Sequence, residues 1–175
     1  KDSTCAVTGV ELRETDHLAA LDNARRNEIP SRLTSICADI LSIPSFLTPG
    51  SFDCCVSNPP YFSGGFKSQK TPLARSSDSC APQALFEAAG WALKYGGDFF
   101  LCHKVQYMAH LCSCAANAGL EAKKMLLVKN TPSSKADLVL IQFRKGAKPG
   151  LILEEAVLHT QSGEPTDYYR QLYHL

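Results

Sequence analysis

Asn58-Pro59-Pro60-Tyr61 follows directly on an apolar, strand-like run from Phe52 to Ser57, and those four residue types in that order suit one chemical task. An exocyclic amine on adenine, or an amide nitrogen on glutamine, is a poor nucleophile because its lone pair is delocalised into the neighbouring π system. The Asn58 side-chain oxygen and the Pro59 carbonyl can each accept one of its two N–H bonds. That draws the nitrogen toward a tetrahedral geometry with its lone pair aimed at a methyl donor. Tyr61 can stack on the flat substrate, with Phe62 beside it. Two consecutive prolines fix φ and remove backbone donors, so the turn is stiff and its carbonyls are available to a ligand. Pro-Pro alone would read as an ordinary loop. The full string at the end of an apolar strand reads as a site for methylating a planar amino nitrogen.

The elements around this tetrapeptide alternate between strand and helix. Ala6 to Val10 is a short β-type run ending at Glu11, and Leu18, Leu21 and Ala24 recur at helical spacing behind it. A second strand, Leu33 to Ala38, closes on Asp39, and a third closes on Asn58. In open α/β sheets ligands bind beyond the carboxyl ends of the strands, so Glu11, Asp39 and Asn58 are expected along one edge. Residues 62–81 are rich in Ser, Gly and Lys and predict a long loop beside the site, with Lys67, Lys70 and Arg75 as candidate phosphate contacts. A solvated basic loop is the competing reading of those three. Pro82 suits a helix start, with Leu85, Phe86, Ala89 and Leu93 on one face before Gly96-Gly97. A strand from Asp98 to Cys102 follows, then a helix with Val105, Met108, Cys112 and Ala115 on its stripe and Gly119 as its cap. Lys124–Lys129 and Asp137–Phe143 predict an antiparallel hairpin. Leu151 to Leu158 predicts one more strand, and Tyr168, Tyr169, Leu172 and Tyr173 a short packed helix.

Length and composition bound these readings. The chain has 175 residues, 45% hydrophobic and 20% charged, which suits one domain, residues 1–175, with a sizeable core. No apolar run approaches the roughly 20 residues of a membrane span, and Lys1 opens a polar segment rather than a secretory leader. A cytoplasmic protein is expected. A net charge of +1 supplies no bulk attraction to nucleic acid, so any RNA contact must be local. Eight cysteines occur without a Cys-x-x-Cys pair, which argues against zinc; no metal is expected, and the thiols read as reduced core residues.

Strand tips at Val10-Glu11, Ala38-Asp39 and Ser57-Asn58-Pro59-Pro60-Tyr61-Phe62 resemble those of class I methyltransferases. Together with Ala74-Arg75, Gly96-Gly97-Asp98-Phe99-Phe100, His103-Lys104, Lys135-Ala136 and the tyrosine-containing tail, the chain resembles the bacterial tRNA1(Val) (adenine37-N6)-methyltransferase family. The resemblance implies a Rossmann-like α/β fold, a mostly parallel sheet closed by a C-terminal antiparallel hairpin, with S-adenosylmethionine as cofactor and tRNA as substrate. It implies that Glu11 takes the ribose hydroxyls of the cofactor, that Asp39 takes the adenine amino group, and that Val10, Leu12 and Ile40 flank the adenine ring, with core packing as the competing reading of those three. A solvated acid and a turn aspartate are what Glu11 and Asp39 would be without it.

One departure from the family is plain. The chain starts where the second strand of the fold would start, so the first strand and its glycine-rich loop are expected to be missing. An incomplete N-terminus, or a homo-oligomer that fills the gap, would answer the exposed backbone this leaves. Two other functions stay open at this point. One is methylation of a release-factor glutamine, which uses the same tetrapeptide, although Phe62 and the Gly-Gly that follows fit the tRNA family better. The other is a catalytically silent methyltransferase fold serving as a binding module.

Overall fold

In the computed structural model, residues 5–59 and 82–174 are described. The chain divides into two compact units, Lys1–Leu47 and Thr48–Leu175. The strands form two sheets, one of two strands and one of five.

The first unit is a single β–α–β turn. β1 (Val7–Glu11) and β2 (Leu33–Cys37) pair in parallel, from Val7 opposite Leu33 to Glu11 opposite Cys37, with α1 (Glu14–Arg26) between them in sequence. β-Branched residues make up most of β1, and β2 adds Thr34 and Ile36, as a pleated surface favours. In α1, Glu14 and Asp16 lie in the first turn and Arg25 and Arg26 in the last, each matched to the helix dipole. The helix stops in a Schellman arrangement. Ile29 N–H reaches Ala24 O at 2.9 Å and Glu28 N–H reaches Arg25 O at 3.1 Å, with Glu28 in the left-handed region at φ 59°. Of the expected helix stripe, Ala24 is buried while Leu18 is 55% exposed. Two strands about 4.8 Å apart are narrower than the helix of about 10 Å they would have to cover.

The second unit contains β3 (Phe52–Ser57), α2 (Pro82–Ala92), β4 (Leu93–Lys104), α3 (Met108–Asn117), β5 (Leu120–Lys129), β6 (Leu138–Lys145), β7 (Ile152–Val157) and α4 (Asp167–Tyr173). Its sheet order is β3-β4-β6-β5-β7. β3 runs parallel to β4 and β5 parallel to β7, while β6 is antiparallel to both β4 and β5. Four strands therefore end at one edge of the sheet, and β6 alone runs the other way. The expected hairpin is β5–β6, and the strand expected at Leu151 to Leu158 is β7.

Phe86 of α2 packs edge-on against Phe99 of β4 and Phe143 of β6, with centroids 5.5 and 5.1 Å apart. All three rings are buried. Gly90 lets α2 approach the end of α3, since a Cβ there would meet Ala118 O at 2.8 Å.

Several expectations need correction. Leu93 is fully buried but opens β4 rather than extending the helix, because it pairs with Phe52 and a bulge between Phe52 and Cys54 absorbs the turn through Gly96. The α3 stripe is Leu111, Cys114 and Ala115, not Met108 and Cys112, because residues 105–107 form a 3-10 turn that shifts the phase of the helix behind them. Gly119 does end the helix, at φ 71°. The thiols are free but mostly not core: Cys5, Cys37 and Cys54 are exposed, and among the described residues only Cys114 is buried. Strand residues alternate between two faces, so an apolar run does not bury every member. Helix α4 forms as expected, yet it lies on the surface with Tyr168 41% and Tyr173 58% exposed.

Candidate active site

The acidic tips belong to the first unit. Glu11 is the last residue of β1, and the ladder runs one step further through Ala38 N–H to Glu11 O at 3.0 Å. Parallel pairing thus brings Glu11-Leu12 and Asp39-Ile40 to the same end of the two-stranded sheet. Glu11, Asp39 and Ile40 are partly buried, whereas Leu12 is 53% exposed. Asp39 caps the 3-10 turn that follows it: its Oδ1 accepts from Leu41 N–H at 2.9 Å and its carbonyl accepts from Ser42 N–H and Oγ–H. The cap fixes the carboxylate plane and leaves Oδ2 able to accept a further donor. Arg13, two residues past Glu11, pairs with Asp16 at 2.7 Å.

Asn58 and Pro59 belong to the second unit. β3 ends at the Ser57–Leu101 pair, so both lie directly beyond the carboxyl end of a strand held in parallel to β4. Pro59 is buried and Asn58 is exposed, an anchored turn with its amide side chain open to a ligand. The remaining predicted residues, Pro60, Tyr61, Phe62, Lys67, Lys70 and Arg75, lie outside the described residues.

Beside this turn β4 ends in His103 and Lys104. His103 is buried edge-on against Tyr107, with centroids 5.1 Å apart, and burial holds its pKa below the usual value, so the ring is neutral near pH 7. Lys104 forms an ion pair with Asp137, the residue before β6. Further along, Cys55 is pushed up to about 11, first by burial and then by neighbouring Cys54, so it stays a protonated thiol. Among the described residues no cluster of His, Cys, Asp and Glu could hold a metal ion, and no helix is long and apolar enough to cross a membrane.

Sequence reasoning did not find a group at the same edge of the larger sheet. His159, just past β7, bonds through Nδ1 to Asn130 Oδ1 at 2.9 Å and packs at a tilt against Tyr169, which in turn packs at a tilt against Tyr173. The tyrosines were visible in the sequence. Their place was not, because it depends on β7 docking in parallel beside β5.

No family model matches the chain. It is 26% identical over 176 residues to the tRNA1(Val) (adenine(37)-N6)-methyltransferase of Bacteroides fragilis, an alignment spanning 97% of this chain and 74% of that protein. It is 27% identical over 172 residues to the protein of the same name from Bacteroides thetaiotaomicron, spanning 95% and 71%. Among solved structures it is similar to a protein of Agrobacterium tumefaciens described as a predicted O-methyltransferase, with TM-score 0.76 and 17% identity over 96% of this chain and 76% of that one. The fibrillarin pre-rRNA processing protein of Methanococcus jannaschii superposes with TM-score 0.56 and 13% identity over 82% and 57%. The chain has the Rossmann-like fold of the class I methyltransferases, and over nearly all of its length its sequence is similar to the tRNA1(Val) (adenine37-N6)-methyltransferases.

Proposed function

We propose that this protein is an S-adenosylmethionine-dependent methyltransferase acting on the N6 amino group of an adenine in tRNA. The observation that carries the reading is Asn58-Pro59 anchored immediately beyond a parallel strand in a methyltransferase fold, with Pro60-Tyr61 completing the motif in the sequence. The names borne by the similar curated proteins select tRNA adenine over a release-factor glutamine.

The donor set suits the nucleoside half of the cofactor. The Glu11 carboxylate accepts two ribose hydroxyls, Asp39 Oδ2 accepts from the adenine amino group, and Leu12 and Ile40 supply apolar flanks to the ring. S-adenosylmethionine supplies an electrophilic methyl on a sulfonium. On the substrate side Asn58 and the Pro59 carbonyl accept the two amino hydrogens, which localises the nitrogen lone pair, and Tyr61 with Phe62 stacks on the unstacked base. No general base acts before transfer, and the proton leaves afterwards to water. The chain contributes alignment and preorganised acceptors rather than acid–base chemistry. Lys67, Lys70 and Arg75 take RNA phosphates, and the site requires no metal. The protein works in the cytoplasm, where its substrate is made.

The test offers labelled S-adenosylmethionine with unmodified total tRNA in one reaction and a release factor in another. Label in tRNA that digests to N6-methyladenosine is the expected result. Label only in the release factor replaces the reading with glutamine methylation, and no label in either makes the fold a silent binding module.

A further inference from the structure

The larger sheet carries two features on one edge that the reaction itself does not connect. β3, β4, β5 and β7 all end there; Asn58 follows β3 at one side, and the loops after β5 and β7 lie at the other. Those two loops are stitched into one piece. His159 N–H reaches Asn130 O at 2.8 Å, His159 Nδ1 meets Asn130 Oδ1 at 2.9 Å, and Ser133 Oγ reaches Gln161 Oε1 at 3.0 Å. Thr166 ties α4 to the end of β7, donating from Oγ1 to Val157 O at 2.7 Å and from its N–H to Leu158 O at 2.9 Å.

On this base stands an aromatic ladder. The rings of His159 and Tyr169 are 5.1 Å apart, and those of Tyr169 and Tyr173 are 4.6 Å apart. Tyr173 is 58% exposed, so the ladder ends in an open ring rather than against the core. Lys135 is exposed on the β5–β6 loop that these bonds stitch to the β7–α4 segment. A row of packed aromatic rings ending in an open face, with a cation on the loop stitched to it, has the chemistry that takes an unpaired base: stacking on the open ring is tolerant of sequence, and the cation meets the adjoining phosphate.

We propose that the β7–α4 tail is a second RNA contact, on which a nucleotide distant from the target adenine stacks against Tyr173 while Lys135 meets its phosphate. The inference rests on the tRNA reading of the Asn58 site. Four inter-strand spacings separate β3 from β7, about 19 Å, which is the rise of roughly five or six stacked nucleotides. The contact therefore falls on bases flanking the target and not on the target itself. It fixes which stretch of RNA is presented, a role that a near-neutral protein cannot give to bulk charge.

The test measures tRNA affinity of the intact protein across a salt series for wild type, Tyr173→Ala, Tyr173→Phe and Lys135→Gln. Tyr173→Ala is expected to raise Kd about tenfold with an unchanged salt slope, and Tyr173→Phe to restore affinity. Lys135→Gln is expected to lower the slope by about one. Affinity for S-adenosylmethionine stays at the wild-type value in all three. If Tyr173→Ala and Lys135→Gln both bind tRNA as wild type does, the second contact does not exist and the methyltransferase reading stands. If wild-type protein binds no tRNA, both fall together.

Discussion

The two units hold their candidate site residues by opposite means. In the larger one, Asn58-Pro59 is carried by a five-stranded sheet with three interlocked phenylalanines under it. In the smaller one, Glu11 and Asp39 are carried by two strands and a helix in which Ala24 and Ile43 are the buried apolar residues among those described. Precision in the first comes from packing; in the second it comes from a parallel ladder and an Asp39 cap. A tip held mainly by backbone bonds opens locally at low free energy, whereas a tip on a dense core moves only when the core does. Amide hydrogen exchange resolved along the chain is therefore expected to show deep protection in β4 and β6 and shallow protection in β1 and β2. Equal protection in both would break the comparison.

The largest expected effect is on the core itself. Phe86→Ala removes the ring that locks Phe99 and Phe143 together and should cost about 3–5 kcal/mol, read as lost protection throughout the larger unit. A loss below about 1 kcal/mol would mean that the three rings are not what makes this unit rigid. Asn58 is exposed, so Asn58→Ala tests its proposed chemistry while leaving packing intact. Its expected result is a fall in kcat of about 10²–10³-fold with an unchanged thermal midpoint, the scale of removing one preorganised polar group from a transition state. Undiminished methyl transfer would show that the amide does not hold the amino nitrogen.

Acid acts on the larger unit through Asp98. Arg144 donates to both of its oxygens, at 2.8 and 3.0 Å, and holds the carboxyl pKa below its usual value. The stability this contributes is fully present above the unfolded carboxyl pKa of about 4 and is lost as pH falls through the lower folded value. Asp98→Asn should flatten that acid limb, so that wild type and variant differ near neutrality and converge at low pH. A difference that persists unchanged in acid would assign the effect to packing.

The same contrast explains what could be read in the sequence. β3 was legible because its run of β-type residues is stopped by a proline pair, although none of its residues is buried. The β5–β6 hairpin was legible because its turn residues sit between two β-type runs. The cysteines expected in the core lie mostly outside it, since an apolar pattern reports which residues share a face and not whether anything covers it. The Asp98–Arg144 pair spans 46 positions and the His159–Asn130 pair 29, and no local pattern announces a partner that only strand order brings close. The Asn-Pro-Pro-Tyr string can be singled out because its residues are consecutive; the aromatic ladder could not, because its members meet only after β7 has docked.

The smallest effect sharpens the thin side of the comparison. Glu28 closes α1 in a left-handed conformation at φ 59°, where a Cβ crowds the backbone and glycine does not. Both Schellman bonds, from Ile29 and Glu28 N–H, depend on that conformation. Glu28→Gly relieves the crowding but loosens the unfolded chain, so the net gain is about 0.5–1 kcal/mol. It should appear as roughly two- to fivefold slower exchange of the Ile29 and Glu28 amides, spreading back into α1 and leaving β4 and β6 unchanged. If the added protection reached the larger unit as well, the two would not respond as separate bodies. If protection fell, the left-handed turn would owe its conformation to the Glu28 side chain rather than to the chain path around it.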